Sequence, residues 1–288
     1  MRPRRSALSV PGSSEKMLAK AGRLPADEIV VDLEDAVALS AKDEARGLVA
    51  RLLREGLVGA RAVAVRVNGL DSGCCHCDVL ELVEQAGPEI DSLVLPMVER
   101  AEDVRWLDRF LGMLGERARG IRLQALVETA GGLRRAGEIA KASPRLDAVV
   151  LGYADLAASL GRPGRDDPPE RWLYAQEIVL VAARAAGLQA VDGPFLAVRD
   201  EEGLRSRAEH ARALGFDGKW AVHPDQVPVL NEVFTPSADE VERARAIVSA
   251  LECEGRGAVE VDGQMVDAAS RKLALQVVAR AEAARSGQ

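Results

Sequence analysis

The sequence predicts a (β/α)8 barrel followed by a C-terminal helical extension. Two observations lead to this fold class. Short, nearly continuous apolar runs alternate eight times with longer segments in which apolar residues recur at helical spacing. Several of these runs also end in a carboxylate or an arginine, which places charged groups where the strands of a parallel barrel surround an active site. A length of 288 residues suits one barrel with terminal additions.

The eight apolar runs are the predicted strands, and the Ala/Leu/Arg/Glu-rich segments between them are the predicted helices. The strands are 6–10, 28–32, 62–67, 92–97, 122–127, 147–151, 188–192 and 218–222. The helices include 40–55, 77–86, 101–115, 132–142, 169–186 and 200–214. We therefore expect the catalytic barrel domain to occupy residues 1–235.

Residues 236–288 are predicted to form a helical extension that acts as a lid or in oligomerisation. A capping pattern from Ser237 to Glu240 indicates the start of a helix that runs to about Leu251. A turn or small hairpin is expected over residues 255–263. A last amphipathic helix, from about Asp267 to Arg285, ends the sequence.

The composition excludes several classes of protein. A net charge of −7 argues against a general nucleic-acid binder, and no apolar run approaches the length needed to span a bilayer. The basic first residues are followed by too short an apolar stretch for a signal peptide, because Pro11 and Gly12 end it. Four cysteines, three of them within residues 74–77, do not form a secreted disulfide framework. We expect a cytoplasmic enzyme without a nucleic-acid or membrane partner.

Glu128 and Asp155 form the most informative chemical pair. They follow adjacent predicted strands, which lie about 5 Å apart in a sheet, so their carboxylates could share one cation. With no histidine or cysteine beside them, oxygen ligands favour Mg2+ over zinc. The alternative is a structural network of Arg66, Glu128 and Asp155 at the barrel rim.

Two neighbours of this pair suit the binding of an anion. Arg66 ends the third predicted strand and could bind a substrate carboxylate through two parallel hydrogen bonds. Gly152, just before Asp155, lets backbone amides approach an anion closely because it has no side chain. The sequence thus predicts a substrate site next to a magnesium site.

An ordered set of motifs, covering nearly the whole chain, resembles the citrate lyase β-subunit-like branch of the HpcH/HpaI aldolase superfamily. In one-letter code the motifs are RSALSVPG (5–12), VDLEDAV (31–37), VRVN (65–68), LPMVE (95–99), VETA (127–130), LGYADL (151–156), DGP (192–194), KWAVHPDQ (219–226) and DGQMVD (262–267). Any one of them is weak evidence, whereas the ordered set is specific.

The resemblance implies a barrel lyase, usually trimeric or hexameric, that acts on short-chain β-hydroxyacyl thioesters with Mg2+ as cofactor. The metal ligands of the family fall on Glu128 and Asp155, and its carboxylate-binding arginine falls on Arg66. Other positions of the family also have counterparts in this chain. These are Glu34 and Asp35 for metal-bound waters, Arg5 and Lys16 for the phosphates of coenzyme A, and Asp267 as an acid presented over the site, with Asp262 as the alternative.

The chemistry expected of such a site is cleavage of the bond between Cα and Cβ. A hydroxyl β to the thioester loses its proton, the alkoxide collapses to an oxo acid, and a thioester enolate leaves. Arg66 holds the oxo acid and an acid such as Asp267 protonates the enolate, giving acetyl-CoA or a related acyl-CoA. Citryl, malyl, citramalyl and 3-hydroxy-3-methylglutaryl thioesters all fit this scheme.

Two further functions remain open. The chain could be a citrate lyase β subunit that acts on an acyl-carrier-protein thioester. It could also be a non-catalytic barrel that senses metals or redox state through Cys74-Cys75-His76-Cys77, where relatives commonly carry a tryptophan-containing turn. A neutral loop substitution also explains these cysteines, because one tetrahedral ion could not easily take four consecutive ligands.

Overall fold

The barrel predicted from the sequence is confirmed. A computed structural model describes residues 2–56, 62–162, 169–254 and 258–285. Eight parallel strands close a barrel in sequence order, and the first strand pairs with the last. The strands are β1 (Ser6–Pro11), β2 (Glu28–Asp32), β3 (Val63–Arg66), β4 (Ser92–Leu95), β5 (Arg122–Val127), β6 (Leu146–Leu151), β7 (Gln189–Asp192) and β8 (Gly218–Ala221).

Helices follow the strands along the chain. They are α1 (Glu15–Ala21), α2 (Lys42–Arg54), α3 (Cys75–Ala86), α4 (Ala101–Met113), α5 (Ala130–Arg134), α6 (Ala136–Ile139), α7 (Tyr153–Ser159), α8 (Leu173–Ala185), α9 (Glu201–Leu214) and α10 (Gln226–Phe234). The sequence did not predict α1, α7 or α10, because segments of seven to nine residues are too short for a distinctive helical pattern of apolar residues. The predicted helix 132–142 is instead the two short helices α5 and α6.

Side chains that point into the barrel form three layers. The middle layer is apolar and buried, and it consists of Ala7, Val30, Ala64, Val94, Leu126, Ala148, Val150, Val191 and Trp220. Because strand residues alternate between the two faces of a sheet, the inward positions above and below this layer are two residues away. Several of those positions are polar, which makes the barrel a packed core with charged groups at each end; they are Glu28, Gln124 and Gln189 at the amino ends and Asp32, Arg66 and Glu128 at the carboxyl ends.

The layer at the amino ends of the strands is organised by Arg4. Its guanidinium bonds Glu28 at 3.0 Å, Gln189 at 2.6 Å and Asp147 at 3.0 Å. Gln124 donates to the same Glu28 oxygen at 2.9 Å. This network pairs the buried Arg4 with acidic and amide side chains at the face of the barrel that in such folds serves stability, although one oxygen each of Glu28, Gln124 and Asp147 accepts no hydrogen bond.

A second compact unit consists of residues 232–288 and the first three residues. Its elements are α11 (Ala238–Glu254), β9 (Ala258–Val261), β10 (Gln264–Asp267) and α12 (Ala268–Arg285). The two strands pair as a hairpin through Asp262 and Gly263, whose φ angles of 50° and 74° are those of an Asp-Gly turn. The predicted turn at residues 255–257 lies outside the described residues. The separate function expected of 236–288 stays a prediction.

The apolar stretches within the helices are short. Among the residues described, no helix combines the length and the hydropathy needed to cross a membrane.

Candidate active site

Arg66 lies at the carboxyl end of β3 and is held by the strand beside it. Its Nε and Nη2 donate to the two carboxylate oxygens of Asp32, the last residue of β2, at 2.9 and 2.5 Å. The two residues are also register partners in the sheet. Both are buried, so this two-pronged ion pair fixes the plane of the guanidinium.

Asp32 is itself fixed by the backbone that follows it. Its oxygens accept from the amides of Glu34 at 2.8 Å and Ala36 at 3.3 Å. The ammonium of Lys42 donates to the carbonyls of Leu33 at 2.8 Å and Glu34 at 2.6 Å. The loop after β2 is therefore held from both sides, and its acidic side chains have a defined position.

The free edge of Arg66 faces those acidic side chains. Its Nη1 lies 2.7 Å from Glu34 Oε2 and 3.6 Å from Asp35 Oδ2. Burial opposes the charge on Arg66, but the hydrogen bonds to Asp32 and the charges of Asp32, Glu34 and Asp35 outweigh it and raise its pKa. The arginine is thus permanently charged, and only its Nη1 edge is turned toward groups that a ligand could replace.

Trp220 lies beneath Arg66 in the barrel. The guanidinium carbon of Arg66 is 5.6 Å from the centre of the indole ring, within range of a cation–π contact. Alanines at positions 7, 64 and 148 of the middle layer leave room for this large side chain. The indole forms the floor on which Arg66 rests.

Glu128, directly after β5, is buried and held in one orientation. Its Oε1 accepts from the backbone amide of Met97 at 2.8 Å. Met97 has a φ of 53°, which is a strained conformation for a residue with a side chain. On the other side, a Cβ at Gly152 would lie 2.5 Å from Glu128 Oε2, so only glycine leaves room for the carboxylate. Gly152 therefore makes space for Glu128, a role that the sequence did not predict.

Asp155 lies in the first turn of α7, after the strand next to that of Glu128. Its pKa is raised by burial and by the charge of Asp35. Burial raises the pKa of Glu128 to about 8, with contributions from Glu34 and Asp155. Burial also raises the pKa of Glu34 to about 7, with contributions from Asp35, Asp32 and Asp155. These carboxylates affect one another electrostatically and share one end of the barrel.

Two carboxylates of this end of the barrel, Glu128 and Asp155, suit a hard divalent cation. Glu34 Oε2 is buried and accepts no hydrogen bond, although it lies 2.7 Å from Arg66 Nη1 in an ion pair. In the part of the chain that the structure describes, no group of three or more His, Cys, Asp or Glu could hold a metal ion. Two carboxylates with waters in the remaining positions are what Mg2+ commonly accepts, whereas zinc needs more protein ligands. Glu128 and Asp155 could therefore hold Mg2+.

The two residues predicted to contact coenzyme A lie at different places. Lys16 is exposed on α1, the helix that follows the carboxyl end of β1. Arg5 precedes β1 at its amino end, and its Nε and Nη2 bond the Asp27 carboxylate at 2.8 and 2.7 Å. This placement suits a structural role for Arg5, so its predicted contact with coenzyme A rests on the resemblance alone.

Asp267 ends β10 and caps α12. Its Oδ1 accepts from the amides of Ala269 at 2.9 Å and Ser270 at 3.0 Å. The bonds from the Ser270 backbone and hydroxyl lower the pKa of Asp267, which is exposed. In water it is therefore an anion, and it could donate a proton only where its surroundings raise that pKa.

The cysteine cluster opens α3. Cys75 is buried, and burial raises the pKa of its thiol to about 12, so it is not a nucleophile at neutral pH. Cys77 Sγ lies 3.3 Å from His76 Nε2, and Cys74, Cys75 and Cys77 are all free thiols. This arrangement favours a neutral substitution over a zinc or redox site.

Several residues of the site were missed by reasoning from the sequence. They are Asp32, Lys42, Met97 and Trp220. Asp32 could have been found, because alternation along β2 makes it the inward residue after Glu28 and Val30. Met97 carried no signal, because its contribution is a backbone amide.

Comparisons with known proteins show the family of the chain. A model of the HpcH/HpaI aldolase/citrate lyase family matches residues 5–224. An L-malyl-CoA/beta-methylmalyl-CoA lyase of Cereibacter sphaeroides is 38% identical over 304 aligned positions, covering 98% of this chain and 95% of the relative. A (3S)-malyl-CoA thioesterase of the same species is 41% identical over 286 positions, with the same coverage. The structure of CitE from Mycobacterium tuberculosis with magnesium, acetoacetate and coenzyme A has a TM-score of 0.79 and 32% identity, covering 98% of both chains.

The raised pKa of Glu128 predicts how stability depends on pH in the absence of metal. Between its ordinary value of 4.5 and about 8, the unfolded chain releases this proton while the native chain retains it. The free energy of unfolding therefore falls as pH rises through that window. Glu128→Gln should remove this dependence. In the presence of a chelator, the Tm of the variant relative to that of the wild type should therefore increase between about pH 5 and about pH 9.

The exposed Glu116→Gln serves as the control and should track the wild type at each pH. Added Mg2+ should raise the Tm of the wild type but not that of Glu128→Gln. A difference in Tm between Glu128→Gln and the wild type that stays constant across the window would contradict the assignment.

Proposed function

The chain belongs to the HpcH/HpaI aldolase/citrate lyase family, and from this premise we propose that it is a Mg2+-dependent carbon–carbon lyase. Its substrate is a short-chain β-hydroxyacyl-CoA of the malyl, citramalyl, citryl or 3-hydroxy-3-methylglutaryl type. The products are acetyl-CoA, or a related acyl-CoA, and an oxo acid. The observation that supports this most strongly is that Glu128 and Asp155 follow two adjacent strands, β5 and β6, at the same carboxyl end of the barrel as Arg66.

The similar proteins favour the malyl type and coenzyme A as the carrier. The Cereibacter relative is a lyase for malyl-CoA and beta-methylmalyl-CoA. The M. tuberculosis structure contains magnesium, a short oxo acid and coenzyme A together. We therefore place a stand-alone lyase ahead of a subunit that needs an acyl carrier protein.

The acidic residues at the carboxyl ends of the strands have different proposed roles. Glu128 and Asp155 would hold Mg2+, and Glu34 and Asp35 would hold its waters. When bound, the metal supplies Lewis-acid polarisation of substrate oxygens. The strained Met97 amide and the space at Gly152 keep Glu128 oriented before any ligand arrives.

Arg66 orients the part of the substrate that becomes the oxo acid. The Nε and Nη2 atoms of Arg66 stay bonded to Asp32. A substrate carboxylate would therefore bind Nη1 and replace its contacts with Glu34 and Asp35. Cleavage breaks the Cα–Cβ bond, transfers the hydroxyl proton away and leaves its oxygen as the new carbonyl. The electron pair of the broken bond remains on the thioester enolate, which takes up one proton.

A thioesterase is the second candidate, because relatives of that name are 41% and 42% identical to this chain. Both reactions begin from the same thioester. Hydrolysis gives the hydroxy acid and a free coenzyme A thiol, whereas cleavage gives acetyl-CoA and an oxo acid.

The function is tested by product analysis of the purified chain with each of the four thioesters and Mg2+. We expect acetyl-CoA and glyoxylate from malyl-CoA in equal amounts, without release of free thiol. A chelator should abolish the reaction. Stoichiometric thiol with no oxo acid would establish the thioesterase instead, and activity restored only by an acyl-carrier-protein thioester would identify a citrate lyase subunit.

Arg66→Lys should reduce kcat/KM for cleavage at least about a hundredfold, or about 2.7 kcal/mol in transition-state terms. A lysine ammonium cannot bond Asp32 and a substrate carboxylate along two fixed edges at once. Steady-state kinetics at saturating Mg2+ measure this, with the exposed Arg119→Lys as control. Near-normal kinetics for Arg66→Lys would show that the arginine is only part of a rim ion pair.

Asp267 is the proposed acid for the enolate, on the strength of the family resemblance. Asp267→Asn should leave thioester and metal binding unchanged but lower kcat. Asp262→Asn is the matched comparison, since Asp262 lies in the adjacent turn. A loss of kcat in Asp262→Asn alone would move the role to that residue.

We further propose that the chain is a homo-oligomer, a trimer or hexamer, in the cytoplasm. Removal of residues from about 255 onward should then cost both assembly and activity, measured by light scattering and by the cleavage assay. A truncated chain that is fully active as a monomer would overturn this proposal.

A further inference from the structure

A buried polar network lies on the outer face of the barrel wall, behind Asp155. Lys219 Nζ donates to Asp192 Oδ2 at 2.5 Å, and the two residues are register partners in β7 and β8. Each is almost completely buried. Because their neighbours Val191 and Trp220 point into the barrel, alternation turns Asp192 and Lys219 outward, toward the helices.

Tyr153 joins this ion pair to α7. Its hydroxyl donates to Asp192 Oδ1, and Gln176 of α8 bonds both the hydroxyl, at 2.9 Å, and the same carboxylate oxygen, at 3.3 Å. Lys219 Nζ also lies 5.6 Å from the centre of the tyrosine ring. Asp192 thus accepts hydrogen bonds from three side chains on three different elements.

The ring of Tyr153 has a closely fitted place. It packs against Trp172 with ring centres 5.0 Å apart. A Cβ at Gly193 would lie 2.6 Å from Tyr153 Cδ2, so the glycine after Asp192 is what lets the ring reach the carboxylate. The tyrosine cannot shift without breaking several of these contacts.

The helical turn that carries Asp155 has little support from its own helix. Asp155 is half-exposed, and α7 has only seven residues and no side-chain cap at Gly152. Tyr153 begins the turn that carries Asp155 and links this turn to the barrel wall.

We propose that Tyr153, Asp192 and Lys219 form a positioning unit that fixes the first turn of α7, so that Asp155 is held ready to bind the divalent cation together with Glu128. This inference rests on the proposed function, in which Asp155 is a metal ligand. The positioning unit touches neither the substrate nor the metal. It acts by reducing the conformational freedom that Asp155 loses when the cation binds.

The test is the affinity for Mg2+ of full-length Tyr153→Phe, measured by calorimetry. This change removes the hydrogen bond to Asp192 and keeps the ring. We expect the Kd for Mg2+ to rise at least about tenfold, while KM for the thioester at saturating Mg2+ stays within about twofold. Tyr174→Phe is the matched control, because Tyr174 is the other tyrosine of the chain and is exposed.

The outcomes separate this inference from the proposed function. If the wild type binds Mg2+ and Asp155→Asn weakens it, but Tyr153→Phe binds as the wild type does, the positioning unit is refuted and the metal site stands. If the wild type does not bind Mg2+, or Asp155→Asn binds normally, the proposed metal site fails and the inference fails with it.

A second variant covers the case in which Tyr153→Phe does not fold. Gln176→Met removes bonds to both Tyr153 and Asp192 from α8 without changing α7. It should weaken Mg2+ binding in the same direction and by a smaller factor. An unchanged Kd in Gln176→Met would overturn the proposal.

Discussion

The ion pair between Arg66 and Asp32 is the interaction on which the geometry of the rim depends. It joins the ends of two neighbouring strands, takes up one edge of the guanidinium and leaves the other edge facing Glu34 and Asp35. Trp220 supports the same group from below. An arginine with a fixed plane and one available edge can recognise a carboxylate and determine its direction, which a mobile side chain could not do.

The cost of this arrangement is an excess of negative charge in a poorly solvated place. Burial and mutual repulsion raise the pKa values of Glu34, Glu128 and Asp155. Three local features hold these groups in place. They are the hydrogen bond from the amide of Met97, whose φ angle is positive, the space left at Gly152, and the buried network of Tyr153, Asp192 and Lys219. Groups that repel one another and are still held in place form a site that a divalent cation stabilises.

The sequence predicted the barrel well because its strands are buried on both faces and read as continuous apolar runs. Two predicted strands, 28–32 and 122–127, agree with the structure residue by residue, and the other six differ by one to two residues at one or both ends. The same runs led to the prediction of Arg66, Glu128 and Asp155 as site residues, since each follows or ends a strand. The alternation along β2 could have indicated Asp32 as an inward residue, but its pairing with Arg66 and the contact of Trp220 with Arg66 join residues far apart in the chain and were not predicted. Nor did any local pattern show that Lys219 and Tyr153 meet on Asp192.

The central claim is that Glu128 and Asp155 together hold one divalent cation beside Arg66. The most direct measurement is anomalous diffraction from crystals of the chain soaked with Mn2+ in place of Mg2+. The account predicts one strong peak within direct coordination distance, about 2.0–2.3 Å, of a carboxylate oxygen of both residues. A crystal with no peak between these carboxylates, or with its strongest peak at the cysteines of α3, would contradict it.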